Sequence, residues 1–371
     1  MRIGILTLPL HTNYGGILQA YALQTVLERM GHEVKVINRN TDYKLPLWKT
    51  PFVYSKRIIK NILGYKTPLF YEQKLIKEQP IIRQNTDRFI RQYIHTLNVD
   101  NYTDLREEDF DAIVVGSDQV WRPKYFGKIE DAYLQFAKGW NIKRIAYAAS
   151  FGTDEWEYSL LQTRCCRSLA KKFDAVSVRE DSGVDLCQKY LDIQASHVLD
   201  PTMLLTKEDY IKNFNLEKYP KNHGNLFCYI LDSSPQKNDL INSLSMLYGL
   251  KPFNCITKID STDLRTILPI QPSVELWLKG FYDAEFVITD SFHGTVFSII
   301  FNKPFIAIAN KERGLSRFTS VLKLLGLEDR LIFFNDNIPL SLNKKNIDYE
   351  TVNSKIKKNK EKIIQYVRDL L

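Results

Sequence analysis

The stretch Phe286-Val287-Ile288-Thr289-Asp290-Ser291-Phe292-His293-Gly294-Thr295, continued by Val296 to Asn302 and by Lys303-Pro304-Phe305-Ile306-Ala307-Ile308, decides the fold. Phe286 to Thr289 is a short apolar, β-branched run that reads as a buried strand, and Thr295 to Phe301 has the length and character of a buried helix. Pro304 ends that helix and Phe305 to Ile308 makes the next strand, so the unit is a compact βαβ. His293 therefore stands where strand turns into helix. The first N–H groups of a helix lack intrahelical partners and the dipole leaves partial positive charge there, so a phosphate or carboxylate can settle against them. Asp290, Ser291 and His293 bring an acceptor, a hydroxyl and a titratable imidazole to the same mouth. The same residues also fit an ordinary capped helix, with Asp290 or Ser291 as N-cap.

Outward from this unit the alternation continues. Arg2 to Thr7 reads as the first strand, Leu18 to Met30 as a helix closed by Gly31, and Glu33 to Ile37 as the second strand, a parallel opening. Between the first strand and its helix lies Pro9-Leu10-His11-Thr12-Asn13-Tyr14-Gly15-Gly16, a turn whose glycines let backbone N–H groups approach a ligand. It matches neither the spaced GxGxxG fingerprint nor a Walker lysine motif. Asp111 to Val115 is a further strand running into Gly116-Ser117-Asp118-Gln119-Val120-Trp121, and residues at the carboxyl end of a parallel strand point into the ligand crevice. Lys143 to Ala148 and Ala175 to Val178 are strands as well. The second of these ends at Arg179, whose guanidinium can clamp a carboxylate or phosphate with two bonds, or pair with Glu180 or Asp181.

The polar stretch from Thr206 to Asn225 reads as a connection, after which Leu226–Leu231, Gln236–Tyr248, Pro252–Thr257 and Val274–Tyr282 repeat the pattern. The expected architecture is α/β, with two Rossmann-like domains facing across a cleft between their carboxyl edges. Their expected bounds are 1–205, carrying an insertion at 39–100, and 206–348. Arg330 to Phe334 offers a last strand. Residues 349–371 read as a helix that packs Val352, Ile356, Ile363, Ile364, Val367 and Leu370 on the body and leaves its lysines in water.

A chain of 371 residues with 44% apolar and 25% charged residues is of ordinary globular composition. No apolar run approaches the roughly 18 residues of a membrane span, and Met1-Arg2 leads into a strand rather than a signal peptide, so a cytoplasmic protein is expected. Five cysteines without CxxC spacing indicate reduced thiols rather than a disulfide framework or zinc site. The histidines and acids lack ligand spacing, and no metal is expected. Of the net charge of +8, most falls between Arg39 and Asp100, where twelve Lys and Arg face five Asp and Glu. Trp48, Phe52, Tyr54, Tyr65, Phe70 and Tyr71 are interleaved with them. Basic residues mixed with aromatics suit an anionic membrane surface or a lipid-linked anionic substrate. The same segment also reads as a solvated helical insertion with its aromatics turned inward. No nucleic-acid motif accompanies the charge.

Taken together, Asn13-Tyr14-Gly15-Gly16 with Gln19-Ala20 and Leu23, Gly116 to Trp121, Ser177-Val178-Arg179-Glu180, Asp200-Pro201-Thr202, and Asp290 to Gly294 with Lys303-Pro304-Phe305 resemble the polysaccharide pyruvyl transferase family, in order and over nearly the whole chain. The resemblance implies a GT-B-like fold, phosphoenolpyruvate as donor substrate with no separate cofactor, and a sugar of a surface or capsular polysaccharide precursor as acceptor. The implied products are a cyclic pyruvate ketal and phosphate. By position it makes His293 the key catalytic or donor-binding residue and Arg179 a donor-binding arginine. Many members carry an arginine two residues before this histidine, where this chain has Ser291. Arg317, Arg313 or Lys311 must then complete the donor clamp, with Ser291 and Gly294 at the same helix start.

The ketal chemistry needs a group of near-neutral pKa, which an imidazole fits best. His293 is expected to fill that role, oriented by Asp290, with Asp118 as a second carboxylate on the acceptor side. Asn13, Tyr14, Gly15, Gly16, Ser117, Gln119 and Trp121 are the expected acceptor or phosphate loops, and the acceptor a sugar or lipid-linked oligosaccharide. Two rivals share the architecture: a nucleotide-sugar glycosyltransferase with Asp290 or Asp118 as base, and a non-catalytic sugar- or phosphate-binding protein.

Overall fold

The computed structural model describes residues 1–40, 49–64, 69–255, 270–309, 314–333 and 347–371. The first sheet contains β1 (Arg2–Leu6), β2 (Glu33–Arg39), β3 (Thr96–Val99), β4 (Ala112–Val115), β5 (Lys143–Ala149), β6 (Ala175–Val178) and β7 (Ser196–His197), in the order β3-β2-β1-β4-β5-β6-β7. Every pairing is parallel, with Ile5 of β1 aligned to Val36 of β2 and Val114 of β4. Ile3 to Leu6 and all of β4 are buried, because helices cover both faces of such a sheet and its strands must be apolar throughout. The second sheet contains β8 (Leu226–Tyr229), β9 (Pro252–Phe253), β10 (Phe286–Thr289), β11 (Phe305–Ile308) and β12 (Leu331–Ile332), ordered β12-β11-β10-β8-β9 and again wholly parallel.

Each sheet reverses its winding once. From β1 the chain steps to β2 on one side and later returns to β4 on the other; from β8 it steps to β9 and returns to β10. A crevice opens at the carboxyl ends of the strands at such a switch point. The residues that follow β1, β4, β8 and β10 therefore occupy the two places where an α/β sheet holds ligands.

The helices of the first part are α1 (Tyr14–Arg29), α2 (Thr50–Ile62), α3 (Tyr71–Ile82), α4 (Gln84–Tyr93), α5 (Leu160–Ala170) and α6 (Asp181–Leu186). Those that follow are α7 (Lys207–Asn213), α8 (Pro235–Tyr248), α9 (Val274–Asp283), α10 (Phe292–Ile300), α11 (Leu315–Leu325) and α12 (Tyr349–Leu370). Two of them start three or more residues earlier than the sequence pattern indicates. α1 begins at Tyr14 instead of Leu18, drawing Gly15 and Gly16 out of the expected turn and into its first helical turn. α10 begins at Phe292 instead of Thr295, since Ser291 Oγ caps it by accepting the Gly294 N–H at 3.3 Å. Helix α11 and strand β3 have no counterpart in the sequence reading.

The two parts are tied at several points. The Tyr14 hydroxyl donates to the Pro272 carbonyl at 2.7 Å and its ring stacks on Trp277, while Asp181 and Ser320 exchange hydrogen bonds between α6 and α11. Helix α12 buries Val352, Ile363 and Val367 and donates from Lys355 to the Leu325 carbonyl; its terminal Leu370 carbonyl accepts from Lys143 of β5. In the insertion α4 joins a core through Phe89 packed among Tyr21, Tyr93 and Phe214, and Ile94 and, in β3, Val99 are buried after it. Phe52, Phe70 and Tyr71 are exposed, which corrects the expectation that this segment turns its aromatics inward; Trp48 and Tyr65 lie outside the described residues. No described helix is long and apolar enough to cross a membrane.

Candidate active site

The two switch points meet at a cavity of about 380 Å3. Thr12, Asn13, Gly15, Asp118, Gln119 and Tyr125 line it from the first part, and Tyr229, Leu231, Gln271, Asp290, Ser291, Phe292, His293 and Arg317 from the second. Two helix N-termini, those of α1 and α10, thus open on one small polar space, a favourable setting for an anion. A larger cavity of about 570 Å3 lies under α12 between Met203, Ile300 and Ile364, but it is mostly apolar and shares no lining residue with the first.

Beneath the cavity lies a chain of buried charges. His293 Nε2 stands 3.6 Å from Asp200 Oδ2. That same oxygen accepts from Arg179 Nη1 at 2.7 Å, and Asp200 Oδ1 accepts from the N–H and hydroxyl of Thr202 at 3.0 and 2.7 Å. Arg179 Nη2 continues to Asp118 Oδ1 at 3.2 Å, and Arg317 Nη1 approaches the same oxygen at 3.9 Å. Both guanidiniums lie against the Phe292 ring, at 4.7 and 5.1 Å from its centroid. Two arginines and an imidazole therefore share two carboxylates.

The titration behaviour follows from this packing. Burial works against the charge of Asp200, but the His293 imidazole, the Arg179 guanidinium and the Thr202 hydroxyl outweigh it and hold the carboxyl well below its ordinary value. Asp118 is likewise lowered, burial being overcome by Arg179, His293 and Arg317. Arg317 goes the other way: burial and the facing Arg179 push it down to about 10, with Asp118 only partly restoring it. It remains cationic at neutral pH and lines the cavity, where a carboxylate or phosphate could meet it with charge-assisted hydrogen bonds.

Nε2 is turned toward Asp200, and Nδ1 faces the other way. It lies on the Gly15 side, so close that a Cβ built on Gly15 would fall 1.9 Å from it. Gly15 is thus required less for backbone freedom than for room: the first turn of α1 and the imidazole occupy adjoining space. Gly15→Ala is expected to displace the ring and lower kcat roughly ten- to a hundredfold in a protein that still folds. Steady-state rates together with a melting curve check this, and an unchanged kcat would show that the ring position is immaterial.

Several expected site residues have other duties. Asp290 does not orient His293: it accepts from the Leu231 and Asp232 amides at 2.7 and 3.1 Å and from buried Lys237 Nζ at 2.6 Å, which turns its carboxylate into the second sheet. Asp200 stands in the place expected for it. Arg179 pairs with neither Glu180 nor Asp181, and its side chain is only 1% exposed, so it holds the carboxylates while Arg317 lines the cavity. Trp121 is buried, stacked on Tyr133 and bonded to the Ala132 carbonyl, and is core rather than acceptor loop. Ser117 is buried and donates to the Ala148 carbonyl, and Tyr14 belongs to the junction with Trp277. Gly294 lets α10 approach β10, since a Cβ there would meet Thr289 Oγ1 at 2.2 Å. Gly16 lies beside Asn13, whose Nδ2 reaches Asp118 Oδ2 at 3.4 Å. The Ser291 hydroxyl oxygen is taken up by the α10 cap. Arg313 and Lys311 lie outside the described residues. Among the described residues no group of three His, Cys, Asp or Glu is placed to hold a metal ion.

Two parallel sheets whose switch points share one polar cavity define a two-domain α/β fold of the GT-B type. Solved structures agree on that fold: the Arabidopsis thaliana protein UGT89C1 complexed with UDP-L-rhamnose has a TM-score of 0.51 at 8% identity, covering 99% of this chain and 98% of that one. The S. aureus MnaA–UDP co-structure has a TM-score of 0.50 at 13% identity, covering 100% and 98%. No curated protein matches the sequence. The family model for polysaccharide pyruvyl transferase matches residues 13–312, and the chain belongs to that family of transferases.

Proposed function

We propose that the protein transfers the pyruvate group of phosphoenolpyruvate to a sugar of a polysaccharide precursor, forming a cyclic ketal and releasing phosphate. The observation that carries this reading is the small cavity in which Arg317, two helix N-termini and the His293 imidazole converge above the Arg179–Asp200–Asp118 chain. Phosphoenolpyruvate is a small polyanion, and these groups match it in size and charge. The methylene carbon gains a proton, and one sugar hydroxyl adds to the neighbouring carbon and gives up its own. Phosphate then leaves with the electrons of its C–O bond as the second hydroxyl closes the ring and loses its proton. His293, held by Asp200, carries protons in these steps, and the buried cleft keeps water from the cationic intermediate. Arg317 takes the place of the arginine that Ser291 lacks.

Phosphoenolpyruvate at about a hundred times its Kd is expected to stabilise the native state by about 2.7 kcal/mol, read as a rise in melting temperature. A rise with a nucleotide diphosphate sugar and none with phosphoenolpyruvate would transfer the site to the glycosyltransferase reading. Phosphate release with donor and a lipid-linked oligosaccharide pool distinguishes an enzyme from a binding protein.

A further inference from the structure

The pair of helices α2 and α3 in the insertion is held together by its own contacts, and much of its outer surface is exposed among the described residues. Arg57 on α2 makes two bonds to Glu72 on α3, at 2.7 and 2.6 Å, and Tyr54 meets Phe70 edge to face at 5.9 Å. These contacts use one side of α2, yet the helix buries no residue at all. On its other side Phe52, Ile59 and Leu63 recur at helical spacing, 74, 57 and 68% exposed, with Ile62 next to them. On α3, Ile76 and Ile81 are also exposed, as are Phe70 and Tyr71 at its start. Lys56 and Lys60 border the apolar stripe on α2, and Lys74 and Lys77 are exposed on α3.

An apolar stripe of this size in water needs an occupant, and charge decides which. Over the described part of the pair, Lys49, Lys56, Arg57, Lys60, Lys74 and Lys77 face only Glu72 and Glu78, and Glu72 is already neutralised by Arg57. A second copy of the same surface would bring like charges together. An anionic bilayer surface would not: apolar side chains enter the headgroup boundary while lysines meet phosphates.

The pair is also rooted at the rim of the active-site cavity. At the end of α3 the Ile82 carbonyl accepts from the Gln271 N–H at 2.9 Å, Asn85 donates to the Gln271 carbonyl at 2.9 Å, and Arg83 donates to the Leu10 carbonyl at 3.2 Å. Gln271 lines the cavity and reaches the Thr12 carbonyl at 3.4 Å. We propose that α2 and α3 form a docking element for an anionic membrane surface, which sets the mouth of the cavity next to the lipid headgroups. This holds whichever donor the cavity takes.

The test is co-sedimentation of the full chain with vesicles of phosphatidylcholine alone and with phosphatidylglycerol added, at low and high salt. Binding is expected on the anionic vesicles only, and is expected to weaken with salt. K56Q/K60Q removes two charges, each worth about a factor of five near such a surface, and should lower binding by about twenty-five-fold. Phe52→Ser with Ile59→Ser and Leu63→Ser should abolish it. Because these side chains are exposed, both variants should keep the parent melting temperature. Equal partition onto neutral vesicles, or none onto anionic ones, overturns the proposal. So does concentration-dependent self-association that the serine variant abolishes in the absence of vesicle binding, since the stripe would then be an interface between copies.

Discussion

Replacing His293 by alanine is expected to lower turnover between about a hundredfold and ten-thousandfold while the protein remains folded. The size of the effect follows from its place: it is the imidazole at the meeting of both sheets, with Asp200 on one nitrogen and the first turn of α1 against the other. The fold should survive because Asp200 keeps Arg179 and Thr202 as partners after the ring is gone. Phosphate release in single-turnover conditions, with circular dichroism and a melting curve on the same sample, measures it. Near-normal release from a folded variant would falsify the proton-carrying role. His293→Gln, which retains bulk and hydrogen bonding but cannot change charge, should be nearly as impaired.

Asp290→Ala should fail differently, by losing stability rather than chemistry. The carboxylate is fully buried and joined to Lys237, itself 6% exposed, so its removal takes the paired carboxylate away from an ammonium held in the interior. Breaking a buried pair in this way costs about 3–5 kcal/mol, which should move the urea midpoint by roughly 1 M or more. The amides of Leu231 and Asp232 also lose their acceptor, so the loop after β8 should loosen first. A variant with the parent midpoint but the kinetic defect of His293→Ala would restore Asp290 to the orienting role that the sequence pattern assigned it. The two substitutions stand three residues apart in the chain, and their contrasting outcomes separate a group that faces the substrate from one that holds its loop.

The legibility of this site in the sequence depended on how local each cue was. Asp290 to His293 announce a strand end and a helix start within a few residues, and Thr289 and Ser291 supply the local hydrogen bonds that fix the turn. Gly15 could be read as special, but its reason could not, since the atom it must avoid belongs to a side chain far along the chain. Asp200 was visible only as part of the Asp200-Pro201-Thr202 motif. Its importance lies in accepting from Arg179 and facing His293, which are contacts between separate strands and separate halves. Trp121 and Ser117 failed in the opposite sense. They follow a strand toward the crevice, yet their side chains turn into the body and find their partners there.

Helix starts show the same division. Gly15 and Gly16 lower intrinsic helix propensity, so the pattern of apolar spacing began only at Leu18, whereas burial of the first turn against the second half holds it helical from Tyr14. Helix α11 follows Gly314 in left-handed backbone, at φ 91°, and is fixed across the cleft by Ser320 on Asp181. That docking puts Arg317 beside Asp118, which is the position the proposed donor clamp requires of it.

The amino-acid sequence by itself determined the alternation of buried strands with helices, the parallel sense of both sheets, and the chemical types gathered at their carboxyl ends, because periodicity and turn chemistry act over a few residues. Which carboxylate serves the imidazole, which arginine lines the cavity, and which aromatics face water were decided only by the tertiary structure. Those choices depend on distances between residues far apart in the chain, and a buried charge settles with whichever partner the packing brings within reach.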